Sequence, residues 1–424
     1  MESERKRAAL VTAFAWFTEA PGASKRALLA ASLGWMLDSF DVMLYSMVLP
    51  ALMKDLALTK ATAGVLGSAT LVAAAVGGLV FGIVADRHGR VIALRWSVIL
   101  YAVFTGACGL AQNVFQLLTF RVLLGFGMGG EWASGAALVS ETWPAQHRGK
   151  ALGLMQSSWA VGYALAALTA AVIMPVGGWR SVFFVGLIPA FITLWMRRHV
   201  SEPELWARAG GEQRGSLRSF SELFRRPLLT LTVVITLMNA CTLFAWWGFN
   251  LWVPSYLSLP AAQGGLGLPS RAMTILVVVM QIGMWLGYVT FGVLSDIAGR
   301  KPTYISYLIA AAAALAAYSL TRSQMVLLVL GPVVAFFATG HFTGLGTVTA
   351  EIYATRIRAT AQGFIYNLGR IASAVAPFLV GSWAETHRFG AAFRLIACFF
   401  ALAAALWIWI PETKPQLSIE PAES

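Results

Sequence analysis

Residues 82–90 read GIVADRHGR, and residues 292–300 read GVLSDIAGR. Each segment closes one apolar run and opens the next. A short loop with glycine permits a sharp reversal, and its aspartate suits the N-terminus of a neighbouring helix, where the dipole favours negative charge. The basic residues beside it can pair with that aspartate or with lipid phosphate. Asp86, Gly89 and Arg90 align with Asp296, Gly299 and Arg300 at a spacing of 210 residues. The same spacing pairs Glu141 with Glu351, Arg148 with Arg358 and Gly153 with Gly363, with no gap between them. A single copy would be no more than a charged turn. Two copies in register, matched at charged and glycine positions, predict a duplicated unit of the kind found in many secondary transporters.

Composition says what the unit is made of. The chain has 424 residues, 58% of them hydrophobic and only 12% charged, against about 25% charged in a soluble domain. Apolar runs at 61–85 and 274–294 reach the roughly 20 residues that span a bilayer. Helix is the expected structure, because in lipid it satisfies its own backbone groups. We therefore expect an all-α membrane protein with twelve transmembrane helices, near 28–50, 62–85, 91–111, 115–140, 150–174, 179–197, 229–258, 272–296, 302–320, 325–349, 361–384 and 390–411. They form two six-helix bundles, 28–197 and 229–411. A terminal segment (1–27), a polar linker (198–228) and a tail (412–424) are expected in the cytoplasm. The net charge of +12 follows from basic residues concentrated in those segments and in the loops on the same side, as cytoplasmic loops of membrane proteins require. It calls for no nucleic-acid partner. Cys108, Cys241 and Cys398 all lie in apolar runs, which argues against a disulfide or metal framework. The first apolar stretch, 8–17, is too short and interrupted for a cleavable signal. No nucleophile–base pair or ligand cluster stands out, so neither an enzyme nor a cofactor is expected.

Charges inside the spans point to function. The first span contains GWMLDSFDVMLYSMVLP (34–50), and a carboxylate at mid-membrane costs about 3 kcal/mol on insertion scales. Asp38 and Asp41 lie three apart and share a helix face. Either they face each other in a cavity and one carries a proton, or one pairs with a basic neighbour to fix packing. Glu131 in the fourth span corresponds at the 210 spacing to His341 in the tenth. The pair could relay protons, since histidine titrates near neutrality, or His341 could be a hydrogen-bonded core residue. Arg370 stands at mid-depth in the eleventh span beside Tyr366 and Asn367. Its planar fork suits a carboxylate, from a substrate or from a permanent bridge to Asp38 or Asp41. Arg121 lies in the outer third of its span and reads as structural or as part of the proton network. Tyr45, Gln156, Trp159, Tyr163, Asn250 and Gln281 could complete a cavity for a small organic acid, with Trp246 and Trp247 close to Asn250. Asp86, Arg87, Gly89, Arg90, Glu141, Arg148, Asp296, Gly299, Arg300, Glu351 and Arg358 are assigned to gating and packing at helix ends.

The repeated loop segment resembles the signature of the major facilitator superfamily, with Val91 where a further basic residue often stands, and the likeness runs across 28–411. DSFD in the first span, RVLLGFGMGGEW (121–132), ETWPAQHRGKALG (141–153), GGWRSVFFVGLIPA (177–190) and RIRATAQGFIYNLGR (356–370) resemble its proton-coupled organic-acid branch of sialate, monocarboxylate and aromatic-acid symporters. The sugar-porter branch fits less well, because VSEPELW (200–206) occupies the place of its PESPR-type sequence. The resemblance implies a monomer in a bacterial inner membrane, with a central site and rocker-switch alternating access. It further implies import of a small organic anion with protons. Efflux by proton antiport is the second reading; a ligand sensor ranks lower, having no sizeable extra domain.

Overall fold

The computed structural model describes residues 16–144, 147–188, 191, 221–226 and 228–413. Most of the expected linker at 198–228, most of the tail and the first 15 residues lie outside the described residues. The first half contains α1 (Gly22–Asp55), α2 (Lys60–His88), α3 (Arg90–Cys108), α4 (Val114–Thr142) and a helical run Arg148–Val185. That run breaks at Gly178, where φ is 69°, so α5 precedes the break and α6 follows it. The second half contains α7 (Leu228–Asn250), continued past a break by Val253–Ser258, then α8 (Ser270–Ala298), α9 (Arg300–Leu320), α10 (Gln324–Ile352) and α11 (Thr355–Ser373). The run Ala376–Leu406 breaks at Arg388, where φ is 65°; its first part extends α11 and its second is α12.

Among the described residues, ten helical runs are long and apolar enough to cross a membrane, and two of them reverse. At about 1.5 Å per residue, the 47-residue run Thr360–Leu406 is roughly twice the bilayer core. Its packing shows the turn. Pro377 and Ala384 lie progressively along the start of α2. Past Arg388, Gly390 lies against Ser319 at the end of α9, and Trp407 lies over Tyr304 at its beginning. α12 therefore runs back antiparallel to α9. The two reversals are compatible with twelve crossings. The helices carry large apolar side chains on their outer faces, among them Trp96, Val103, Ile282 and Val329, as a lipid-facing surface requires.

The 210-residue repeat reappears as a repeated contact. A Cβ on Gly77 of α2 would lie 1.9 Å from the Phe126 carbonyl oxygen of α4. A Cβ on Gly287 of α8 would lie 2.3 Å from the Phe336 carbonyl oxygen of α10. Both partners in each pair are shifted by the same 210 positions, so the duplication preserved a backbone-to-backbone crossing that only glycine allows. We expect Gly77→Val to destabilise the fold by at least about 1–3 kcal/mol, read as a lower melting temperature of the purified protein. Gly149→Ala, where nothing lies within 4 Å of the added atom, should leave melting unchanged or slightly raised.

The loop motif turns on Gly89 and Gly299, at φ 114° and 101°, a region that favours glycine. In the second copy Arg300 pairs with Asp296, and its Nη2 donates to Glu351 at 3.0 Å. The cap on α9 comes from another residue than the one expected: Glu412 accepts from the backbone N–H groups of Arg300 and Lys301 at 2.9 and 3.0 Å. The side chains of Asp86 and Arg90 lie outside the described residues.

The halves meet along α2 with α11 and α5 with α8. Hydrogen bonds across the seam cluster at the end opposite the loop motif. There Ser46 donates to the Leu251 carbonyl at 2.7 Å, and Tyr163 donates to the Asn250 carbonyl at 3.0 Å. Lys60 donates to the Ala384 carbonyl, and the Ala61 N–H donates to Glu385. Among the described residues, an opening lined by Arg121, Thr70, Trp247, Leu251 and Pro377 among others has room for about one water molecule.

Candidate functional site

Three clusters of polar groups sit at mid-depth between or beside the halves. The first is built on α11. Arg370 is 3% exposed, and among the described residues its guanidinium has no hydrogen-bond or ion-pair partner. Tyr366, one helical turn before it, lies within electrostatic reach of both Arg370 and Asp38 of α1. Tyr288 of α8 lies within reach of Tyr366 in turn. Asn367 stands where α11 crosses α2, with its Oδ1 3.3 Å from the position of a Cβ on Gly78. A cation, a carboxylate and two phenols from three helices thus meet across the seam. Tyr366, Asn367 and Gln156 all keep partial exposure. A permanent bridge from Arg370 to Asp38 or Asp41, one of the sequence alternatives, is not among the ion pairs of the described residues.

The second cluster is aromatic and bridges both halves. Trp35 of α1 and Trp159 of α5 lie 4.7 Å apart, and Trp159 meets Trp246 and Trp247 of α7 at 5.5 and 6.0 Å. Phe342 of α10 closes the far side of Trp246. The indole N–H groups of Trp35, Trp159 and Trp246 are buried without a partner among the described residues. Each such donor costs roughly 1–3 kcal/mol.

The third cluster lies inside the first half. Asp41 is buried, and neither carboxylate oxygen has a hydrogen-bond partner. The Thr105 hydroxyl lies close to it without reaching hydrogen-bond geometry. Asp41 and Arg121 of α4 both act on Cys108 of α3. Arg121 donates from Nε to Thr70 at 3.0 Å, stacks 3.8 Å over the Tyr45 ring and leaves Nη1 unpartnered. The second half has no such site, since Gly331 and Met280 stand at the equivalents of Arg121 and Thr70 and simply touch.

Several expected roles change. Asp38 and Asp41 do not face each other: Asp38 looks toward α11 and Asp41 toward α3 and α4, because three residues along a helix still differ by about 60° in direction. Tyr45 donates to the Ala63 carbonyl and forms the floor under Arg121, outside the central cluster. Tyr163 and Asn250 belong to the seal at the end opposite the loop motif. Asn250 Oδ1 and Gln281 Oε1 are buried acceptors without a partner. The His341 ring packs among Tyr304, Phe342 and Phe400 of its own half, an aromatic setting that suits packing more than a relay. Glu131 is fully buried on α4. Arg121, expected to be structural or part of the proton network, shares the neighbour Cys108 with Asp41.

The model of the Major Facilitator Superfamily matches residues 31–260 and 256–423. The chain belongs to this superfamily. A protein of Cupriavidus pinatubonensis described as "Probable 4-methylmuconolactone transporter" is 37% identical over 415 residues, covering 95% of this chain and 94% of that one. The sialic acid transporter NanX of Escherichia coli is 28% identical over 405 residues, covering 93% and 96%. The crystal structure of a D-xylose–proton symporter superposes with a TM-score of 0.76 at 21% identity, over 93% of this chain and 99% of that one; at that identity the likeness concerns the fold alone. The protein is an integral membrane transporter, not an enzyme, and its relatives include proteins described as transporters of 4-methylmuconolactone and of sialic acid. The indole donors escaped the sequence reading because apolar spans are rich in tryptophan and only coordinates show which N–H groups lack partners. The Arg121 site left a fainter trace: an arginine in one repeat where glycine stands in the other.

Proposed function

We propose that this transporter imports a small organic anion together with protons, by alternating access of two six-helix bundles, 28–197 and 229–411, joined by the linker at 198–228. The observation that carries this reading is Arg370: a guanidinium almost fully buried at the seam, without a protein anion among the described residues. A buried cation needs a counter-charge, and its fork fits a carboxylate in two-pronged fashion. Asn367 and Tyr366 add hydrogen bonds beside it, and Gln156 and Gln281 complete the polar lining. Asp38, across Tyr366 from Arg370, senses whether that anion is present. Asp41 with Arg121 carries the proton, held apart from the substrate inside the first bundle. Glu131 lies on the same helix as Arg121 and supports that pair.

The basic end, which holds the loop motif, is the cytoplasmic side in this reading, with both termini there, in a bacterial inner membrane. The hydrogen-bonded seal then closes the outer face, and the partly exposed Tyr366, Asn367 and Gln156 open toward the cytoplasm. Asp296, Arg300 and Glu351 clamp helix ends as the bundles rock, and their counterparts Asp86, Arg90 and Glu141, together with Arg87, Arg148 and Arg358, are assigned to the same gating. Coupling arises if the empty, charged site cannot cross the occluded state while the neutralised one can. The test is uptake of labelled organic acids into proteoliposomes with and without an imposed pH gradient. Accumulation of one or more acids only under an inward proton gradient is expected. Uptake of cations and of no acid would overturn the anion assignment, and acid uptake indifferent to the gradient would overturn the coupling.

A further inference from the structure

The aromatic cluster holds a second set of recognition groups, and the inference drawn from it rests on the organic-anion reading above. Trp35 lies one turn, about 4.5 Å of helix rise, before Asp38. Asp38 shares Tyr366 with Arg370, so the cluster adjoins the anion site on α1. Its members come from α1 and α5 on one side and α7 and α10 on the other. Trp35, Trp159 and Trp246 are 5%, 3% and 4% exposed, and none of their N–H groups has a partner. Indole offers a donor and no acceptor. Arg370 also only donates. A ligand that satisfies both sets must therefore accept at two places: a carboxylate at one end and a further oxygen or nitrogen lone pair at the other. The ring faces between them favour a flat body.

We propose that Trp35, Trp159 and Trp246 are specificity-determining residues whose indole N–H groups bind a second acceptor group of the substrate, remote from the carboxylate held by Arg370. Because these donors come from both bundles, such a ligand also ties the halves together when it binds. A carboxylate with an apolar far end would leave the donors buried and unpaired, and a site built to hydrogen-bond rejects the analogue that lacks the group.

Two acids of nearly equal shape separate the possibilities: 4-formylbenzoate, with a carbonyl acceptor at the far end, and 4-vinylbenzoate, with none. Binding of each to the full-length protein in detergent is measured by calorimetry, for the native chain and for Trp35→Phe, Trp159→Phe, Trp246→Phe and Arg370→Met. The expected result is binding of 4-formylbenzoate on the order of 10-fold tighter or more, with the preference collapsing toward unity in at least one Phe variant. Phenylalanine keeps a ring and removes only the N–H, and three separate positions guard against one variant failing to fold. Equal affinities in the native chain, or a preference unchanged in every folded Phe variant, would overturn the proposal while leaving the anion site standing if Arg370→Met abolishes both. Binding of neither acid in an Arg370-dependent way would remove the anion reading itself, and this proposal with it.

Discussion

Replacing Arg370 by methionine is expected to weaken binding of the transported acid by about 30-fold to several thousand-fold, and to reduce uptake to background at submillimolar substrate. The range is that for removing one partner of a buried, hydrogen-bonded charge pair, about 2–5 kcal/mol. The argument starts from burial. A guanidinium at mid-membrane with 3% exposure would normally be fixed by a carboxylate of the protein. Among the described residues this one has none, although Asp38 is close enough to act on the shared Tyr366. Removing the cation should therefore cost the fold little and binding much, so the melting temperature without substrate should hold or rise. Arg370→Lys separates charge from shape: it keeps the positive charge but loses the planar fork, and a partial loss of about 10-fold is expected. Calorimetry with the best acid from the uptake panel measures both. Full binding by Arg370→Met would mean that the carboxylate is held elsewhere.

Much of this site could be read along the chain, and the parts that could not share one cause. Depth follows from counting residues into a helix, and that count alone puts Arg370 near mid-span. The repeat was legible because charged and glycine positions tolerate little drift, and the crossings Gly77–Phe126 and Gly287–Phe336 show the physical constraint behind it. Rotation about the helix axis was less legible. Asp38 and Asp41 pass any test for a shared face, yet they look toward different helices. Tyr45 and Tyr163 have the composition of pocket residues, yet each hydroxyl donates to a backbone carbonyl, and a carbonyl carries no residue-specific signal. Hydrogen-bond satisfaction depends on neighbours from several helices at once, so neither the bare indole N–H groups nor the approach of both Asp41 and Arg121 to Cys108 could be inferred from spacing.

The proposed proton site at Asp41 and Arg121 carries the other large effect. Asp41→Asn is expected to lower pH-gradient-driven accumulation at least about 10-fold, while exchange of labelled for unlabelled acid across the membrane stays within a few-fold of the native rate. Exchange needs substrate binding and rocking of the occupied protein but no net proton movement, so it isolates the coupling step. Asp41 qualifies because its carboxylate is buried with no donor in hydrogen-bond geometry, while Arg121 nearby keeps Nη1 free. An ionised carboxylate and a guanidinium in so dry a place are tolerable when they meet, and the neutral acid is tolerable when they part. A small shift of α1 against α4 thus exchanges a proton for an ion pair, which is what coupling requires. Arg121→Gln should produce the same uncoupled phenotype, since it removes the group that competes with the proton. Asp38→Asn should differ by impairing exchange too, because Asp38 shares the substrate's surroundings. His341→Gln, in a ring packed among Tyr304, Phe342 and Phe400, should leave the pH profile of uptake where it is. If Asp41→Asn still accumulates acid against its gradient while His341→Gln does not, the proton travels through the second bundle, and the asymmetry between Arg121 and Gly331 has only a packing role.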